Sequence, residues 1–429
     1  MLIVRPSSPA PETPSHGHTE VETRLGADFL DQPMSYRIGL VGKPSVGKST
    51  LFNAATMNDV PEGAYPFTTI DPSVGEAYVR TPCAAPEFDE TCQPSVGVCE
   101  DGTRFVPVKL VDVAGLVPGA HEGRGLGNQF LTDLNETDVL IHVVDFSGTT
   151  DSEGEATEGH DPREDIDFLE DELDAWYLDI LEKGVRRYAD KQVEDIDPED
   201  ILGEQLSAFG ISPAAIKQTI LAIDLPVAPL EWDGAEKAAL AREIRKRTKP
   251  MTIAANKMDT QAAQDNWDEI TTDPAYEHLA FVPVSAHAEK ALKNAKEQGV
   301  VEYTPGESDF AITTENLPAE QEAGLEQIRE FVDAFDGTGV QQVLETATFD
   351  VLDLKAVFPG TASGNWTKGP FRDCFLLPAD ATAEDFAYHL HSDIGDGFLH
   401  GIDCRDDRQV GADTVLDHRD VLEVVSTNQ

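Results

Sequence analysis

Gly42, Gly47, Lys48 and Ser49 stand at the spacing G-x-x-x-x-G-K-[ST] within GLVGKPSVGKSTLFNAAT, residues Gly39 to Thr56. Glycines so placed let a backbone wrap a phosphate group, and the N–H groups that open a following helix point inward at it. The loop Gly42, Lys43, Pro44, Ser45, Val46, Gly47, Lys48 and Ser49, with Thr50 behind it, therefore reads as an anion cradle. Lys48 is placed to reach the β and γ phosphates of a nucleotide and is the first catalytic candidate, and the Ser49 hydroxyl to ligate Mg²⁺. The apolar run Ile38–Val41 before the loop predicts a buried strand, and STLFNAAT after it a helix, the context that this motif requires.

Four more segments extend the chemistry. VKLVDVAGL, Val108 to Leu116, predicts a strand ending at Asp112, which can hold Mg²⁺ through water, while the Gly115 N–H can sense a γ-phosphate. YPFTTIDP, Tyr65 to Pro72, offers Thr69, or else Thr68, as a second hydroxyl on Mg²⁺, with Phe67 among the nucleotide contacts. MTIAANKMD predicts a strand running into Asn256, Lys257 and Asp259. A carboxylate at Asp259 can accept from guanine N1–H and the exocyclic amine together, and adenine has no donor at either place. Asn256 would brace the loops, and the Lys257 stem would lie on the base. FVPVSAHAE then places Ser285, Ala286 and His287 after another strand, where backbone N–H groups meet the base edge. The glycine string Gly123 to Gly127 follows a loop rather than a strand, so it reads as a hinge-rich switch and not as a dinucleotide fingerprint.

These segments, with DVAGLVPGAHEGRGLGNQFL, resemble the Obg-type translation-associated GTPases, and within them an archaeal branch of the YchF family. DVLIHVVDFSG fits that branch, and AVFPG with FLLPADATAEDFAYHLHSDIGDGFLHGI resembles a TGS domain. The resemblance covers nearly everything after Met34. It implies an α/β fold: a P-loop NTPase domain with a helical insertion, plus a small mixed α+β, ubiquitin-like TGS domain. It implies a cytoplasmic, GTP-hydrolysing switch that binds the ribosome or ribosomal RNA, or acts on translation factors. Bacterial and eukaryotic members lack the Asn-Lys-x-Asp signature and favour ATP, so Asn256, Lys257 and Asp259 make GTP the expected nucleotide here. Many related loops carry Asn where Ser45 stands, and that Asn helps hold K⁺; the serine speaks against K⁺ as a cofactor. The rival readings are an ATPase of YchF type and a non-hydrolysing RNA- or ribosome-binding module. In Ras-like enzymes a Gln after Asp-x-x-Gly orients the attacking water. Leu116 occupies that place, which leaves His121 as the catalytic candidate for the task and His160 behind it.

The elements that position these residues follow from intervals and periodicity. Lys48 to Asp112 is 64 residues but Asp112 to Asn256 is 144, too long for one strand–helix repeat. Ile166, Leu169, Leu173, Trp176 and Ile180 step by three and four, a helical seam, and DGAEKAALAREIRKRT is helical before Pro250. We expect a first nucleotide-binding part over 34–163, a helical hairpin over 164–249, a second nucleotide-binding part over 250–346 and the TGS domain over 347–429. Lys183, Arg186, Arg187, Lys191, Arg242, Arg245, Lys246, Arg247 and Lys249 crowd two stretches of the hairpin. They read equally as a surface for ribosomal RNA phosphates and as cations that stabilise helix C-termini. His389 and His391 fall on different helix faces and read as core and surface histidines rather than metal ligands.

The chain has 429 residues, with 80 Asp+Glu against 32 Lys+Arg and a formal net charge of −48. The apolar fraction of 40% excludes a disordered acidic tail. The acid excess is spread over the whole length, which suits a very salty cytosol where a Debye length of about 3 Å screens self-repulsion. No run of eighteen apolar residues exists, so no membrane span is expected, and we expect a monomer. Residues 1–33, rich in Pro, Ser, Thr and Glu, read as a disordered tail or as an extension from a misplaced start before Met34. Cys83, Cys92 and Cys99 share one loop-like stretch; a metal needs a fourth ligand and none lies nearby in sequence, so they read as reduced thiols in a surface hairpin.

Overall fold

The computed structural model describes residues 35–56, 74–113, 133–191, 198–206, 210–226, 229–314, 317–364 and 369–427. Phe67, Thr68, Thr69, Gly115, Leu116, His121 and the glycine string from Gly123 lie outside them, as do residues 1–34.

A seven-stranded sheet forms the frame. Its strands are β1 (Arg37–Val41), β2 (Val74–Pro82), β3 (Cys99–Glu100), β4 (Thr103–Asp112), β5 (Val139–Asp145), β6 (Met251–Asn256) and β7 (Ala280–Pro283), in spatial order β2-β4-β1-β5-β6-β7, with β3 beside β4. The β4-β1-β5-β6-β7 block is parallel, while β2 and β3 run antiparallel to β4. The central strands are apolar on both faces, as a covered parallel sheet demands. Along β5, Leu140 and Val144 enter the core on one face, and Val139, Ile141 and Val143 the core on the other.

Helix α1 (Lys48–Ala55) packs on the second face. The first face carries the insertion between β5 and β6: α2 (Pro162–Lys191), α3 (Pro198–Leu206), α4 (Pro213–Ala222) and α5 (Gly234–Thr248). Among the described residues four helices stand where a two-helix hairpin was expected. The expected seam is real: Ile166, Leu169, Leu173 and Trp176 are buried, with Tyr177 and Leu181 beside them. A capping box between Asp233 and Glu236 starts α5. Two of the insertion's basic residues, Arg245 and Lys249, are buried within the fold, while Lys183, Arg186, Arg187 and Arg242 stay exposed in surface pairs. Arg245 is buried between Glu170 and Asp174, at 2.8 and 2.9 Å, and Arg242 also reaches Asp174. Lys183, Arg186, Arg187 and Lys246 pair with Asp179, Glu182, Glu204 and Glu243. Lys249 is buried on the carbonyls of Asn135 and Thr137, and burial pushes its ammonium down to about 8. The structural reading holds for the buried Arg245 and Lys249.

After β6 come α6 (Gln261–Thr271), α7 (Ala286–Glu297), the small β8–β9 ribbon (Val301–Glu302, Ala311–Ile312), α8 (Ala319–Phe335) and α9 (Val340–Glu345). A π-helical turn, Thr346–Val351, leads into a second sheet. Its strands are β10 (Leu354–Pro359), β11 (Phe375–Pro378), β12 (Phe398–Asp403), β13 (Arg408–Val410) and β14 (Val421–Ser426), ordered β11-β10-β14-β12-β13. Helix α10 (Ala383–Leu390), started by a Thr382–Asp385 capping box, and α11 (Ser392–Asp396) cover it. His389 stacks edge-on against Phe375, and the His391 ring accepts from the Asp393 N–H at the start of α11.

The second sheet sits on the β2–β4 end of the first. Arg419 donates to the Pro82 carbonyl and pairs with Glu87, Arg405 reaches Glu87 at 2.8 Å, and Phe371 packs between Phe88 and Phe358. Among the described residues no helix is long and apolar enough to cross a membrane.

Candidate functional site

All the motif residues that the structure describes gather at the carboxyl edge of the parallel block, where ligands bind in open α/β sheets. Register fixes this: Leu40 pairs with Asp112, Val41 with His142, Asp145 with Asn256 and Ala255 with Pro283. The loop after β1 is a tight wrap. Gly42 has φ +144°, and a Cβ there would lie 2.5 Å from the Val143 carbonyl oxygen; Gly47 has φ +102°, and a Cβ there would meet the Asn256 amide at 2.3 Å. Neither position admits a side chain. Ser45 takes the left-handed region at φ +64°.

Lys48 opens α1 and folds back over the loop, its Nζ donating to the carbonyls of Gly42 and Lys43 at 2.8 and 3.0 Å. Burial pushes its ammonium down, and Asp112 opposes that. The Ser49 hydroxyl faces Asp112 Oδ2 at 3.5 Å. Burial raises the Asp112 carboxyl, with Lys48 and Ser49 pulling the other way. Amine, hydroxyl and carboxylate thus share one side of the loop, the donor set for a phosphate and a hard cation. Lys43 does not share it. Its side chain turns inward and is only 4% exposed, with Nζ 2.8 Å from Asp165 Oδ2 on α2 and 2.8 Å from the Thr150 carbonyl.

The second half of the site is a clasp. The Asn256 amide donates to the Val46 carbonyl at 2.8 Å, and its oxygen accepts from the Ala286 N–H at 3.2 Å, joining phosphate loop to α7. The Ser285 hydroxyl accepts from Ala288 N–H as the cap of α7 and donates to Asp259 Oδ1 at 2.7 Å. Lys257, at φ +66°, anchors Nζ on Asp145 Oδ2 at 2.8 Å. Sequence reading gave Asp145 no role. The carboxyl is wholly buried and also accepts from Ser147, Thr149 and Thr150. Burial pushes it up, but Lys257 and the hydroxyls outweigh that and hold it below the usual carboxylate range. The signal was legible: DFSGTT puts hydroxyls two, four and five residues beyond an acid that ends an apolar strand. His287 is exposed at the rim. His160 lies 3.0 Å from Asp165, the partner of Lys43 in the phosphate loop.

Comparisons with known proteins agree with this geometry. Residues 37–178 match the family described as 50S ribosome-binding GTPase, 254–361 the Obg-like GTPase YGR210-like, G4 motif-containing domain, and 366–426 the TGS domain. An uncharacterized GTP-binding protein of Methanocaldococcus jannaschii is 41% identical over 393 residues, 91% of this chain and 98% of that one. The ribosome-binding ATPase YchF of Escherichia coli O157:H7 is 29% identical over 375 residues, 85% of this chain and 87% of that one. The crystal structure of a GTP-binding protein from Pyrococcus horikoshii OT3 matches with a TM-score of 0.74 at 34% identity, covering 92% of this chain and 100% of the other.

Proposed function

We infer, for a chain that belongs to the YchF family of Obg-like GTPases, that guanine is selected by Asp259 and that hydrolysis of GTP switches an attachment to the ribosome. The chain is a P-loop GTPase with a C-terminal TGS domain. The observation that carries the guanine assignment is the Ser285–Asp259 bond. A hydroxyl already locked as a helix cap holds the carboxylate in place, so little reorganisation is needed when the base arrives. Asn256 ties that base pocket to the phosphate loop, so one conformation serves both ends of the nucleotide.

The α1 N-terminus and the loop N–H groups hold the phosphates, and Lys48 leaves its carbonyls for the β and γ oxygens. Ser49 and Asp112 would hold Mg²⁺, with Thr69 as the candidate for a further hydroxyl. The ion would neutralise charge on the β and γ phosphates. With Leu116 after Asp-x-x-Gly, no Gln orients the water from that position, so turnover by the isolated protein is expected at or below about 10⁻² s⁻¹. Single-turnover hydrolysis measures it, and fast hydrolysis would end this reading. His121→Ala should slow it further; an unchanged rate clears His121.

Calorimetric titration of GTP and ATP in concentrated KCl tests the nucleotide, with tenfold preference for GTP expected, about 1.4 kcal/mol. The ribosome part rests on the names of the matched family and of the bacterial relative. Cosedimentation with ribosomes should be stronger with a non-hydrolysable GTP analogue than with GDP. Equal pelleting in both states would remove the switch.

A further inference from the structure

Three thiols that sequence scatters over seventeen positions meet in space. Cys83 follows β2, Cys92 lies in the excursion beyond it and Cys99 opens β3, yet their Sγ atoms all lie within 4.8 Å of one another. All three are free of disulfides, and Cys83 is buried. Sulfurs sharing a tetrahedral zinc ion at about 2.3 Å stand roughly 3.8 Å apart, so a small contraction would close a three-sulfur shell. We propose that Cys83, Cys92 and Cys99 bind one thiophilic divalent cation of the zinc class, stapling the excursion on which the C-terminal domain sits.

A second observation concerns charge. Arg104 is 2% exposed, and among the described residues no carboxylate pairs with it. Its guanidinium donates instead to Cys92 Sγ at 3.4 Å and to the carbonyls of Val96 and Arg372 at 3.1 Å each, and its Nε has no partner. A buried cation without an anion is costly. Three thiolates around a dication carry a net charge of minus one and supply the counter-ion that the site lacks. Metal binding releases the thiol protons to solvent, including the one that Cys92 shares with the Phe371 carbonyl at 3.3 Å. Cys374 and Cys404 pack in the same apolar cluster but outside this group, so the fourth position goes to water.

The excursion needs such a staple. Between Cys83 and Cys99 the only helical turn is Ala85–Phe88. Yet Gln93 N–H donates to the Pro370 carbonyl at 3.0 Å, Ser95 N–H to the Arg372 carbonyl at 2.8 Å, and Phe88 packs on Phe371. A loop with little core of its own gains order from a metal cross-link.

The test is Co²⁺ titration of the reduced full chain. We expect saturation at one equivalent, with sulfur-to-cobalt charge-transfer bands in the near ultraviolet and the intense visible bands of a tetrahedral ion. Zn²⁺ should displace the cobalt, and elemental analysis of protein purified without chelator should give one zinc per chain. Cys99→Ser should weaken cobalt at least tenfold while GTP titration stays unchanged, which shows that the variant folds. Absence of the bands in the wild type overturns the proposal, as does their persistence in Cys99→Ser. Recovery of two of the three cysteines as a disulfide, without metal, overturns it in favour of a redox pair.

Discussion

Asp259→Asn is expected to weaken GTP binding by at least tenfold and to move preference toward xanthosine triphosphate. The phosphate loop cannot choose between bases, because it touches only what all nucleotides share. Asp259 offers two acceptor oxygens to the two donors on guanine's edge, and Ser285 fixes the plane of that carboxylate at 2.7 Å. Asparagine turns one acceptor into a donor. It meets guanine's N–H groups with an N–H, but meets the carbonyl of xanthine correctly. Tenfold is about 1.4 kcal/mol, and an unmatched polar pair in a closed pocket costs about 1–3 kcal/mol. Ser285→Ala should be milder, near the net worth of one hydrogen bond, about 1 kcal/mol. Calorimetry with GTP, ATP and XTP on both variants reads these differences. If Asp259→Asn leaves the GTP/ATP ratio where it was, or if the wild type prefers ATP, the ATPase rival takes over.

What could be read without coordinates was whatever carries a local signal. Each site segment begins where an apolar run ends in a glycine, acid or amide, so the strand ends that align in register were legible one at a time. Ser285 stood out as the residue after an apolar strand, but its bond to Asp259 was not legible, since that needs the β7–α7 turn to face the β6 end. The insertion was legible as a length anomaly with two seams. Its two short helices were missed although Pro213 follows the capping Ser212, an ordinary start signal. Part of the basic stretches finds its acidic partners on other helices, as with Arg245 and Glu170, 75 positions apart, and no local pattern shows that. The cysteines show the same limit from the other side. Spacings of nine and seven residues fit no local metal motif, and only the path of the excursion brings the sulfurs together.

Lys43 is the sharpest case, and it yields the second large effect. In GKPSVGK two lysines five residues apart look alike, and both read as phosphate ligands. Lys48 stays over the loop with Nζ on the Gly42 and Lys43 carbonyls; Lys43 points inward and pairs with Asp165, with exposures of 3% and 7% for the two side chains. Asp165 lies in the first turn of α2, where the helix dipole also favours its charge. The pair therefore fastens the nucleotide loop to the helical insertion. Lys43→Met should destabilise the protein by about 3–5 kcal/mol, because it strands a buried carboxylate with only His160 beside it. It also leaves the Thr150 carbonyl without that donor. Replacing both partners, Lys43→Met with Asp165→Leu, removes the uncompensated charge and should recover most of the loss. Urea unfolding of the two single variants and the double gives the coupling directly. A cost below about 1 kcal/mol for Lys43→Met would show that water reaches Asp165. If the double variant regains stability but no longer changes its ribosome cosedimentation between GTP analogue and GDP, the ion pair is the link by which the phosphate loop moves the insertion; a switch that survives in the double variant places that link elsewhere.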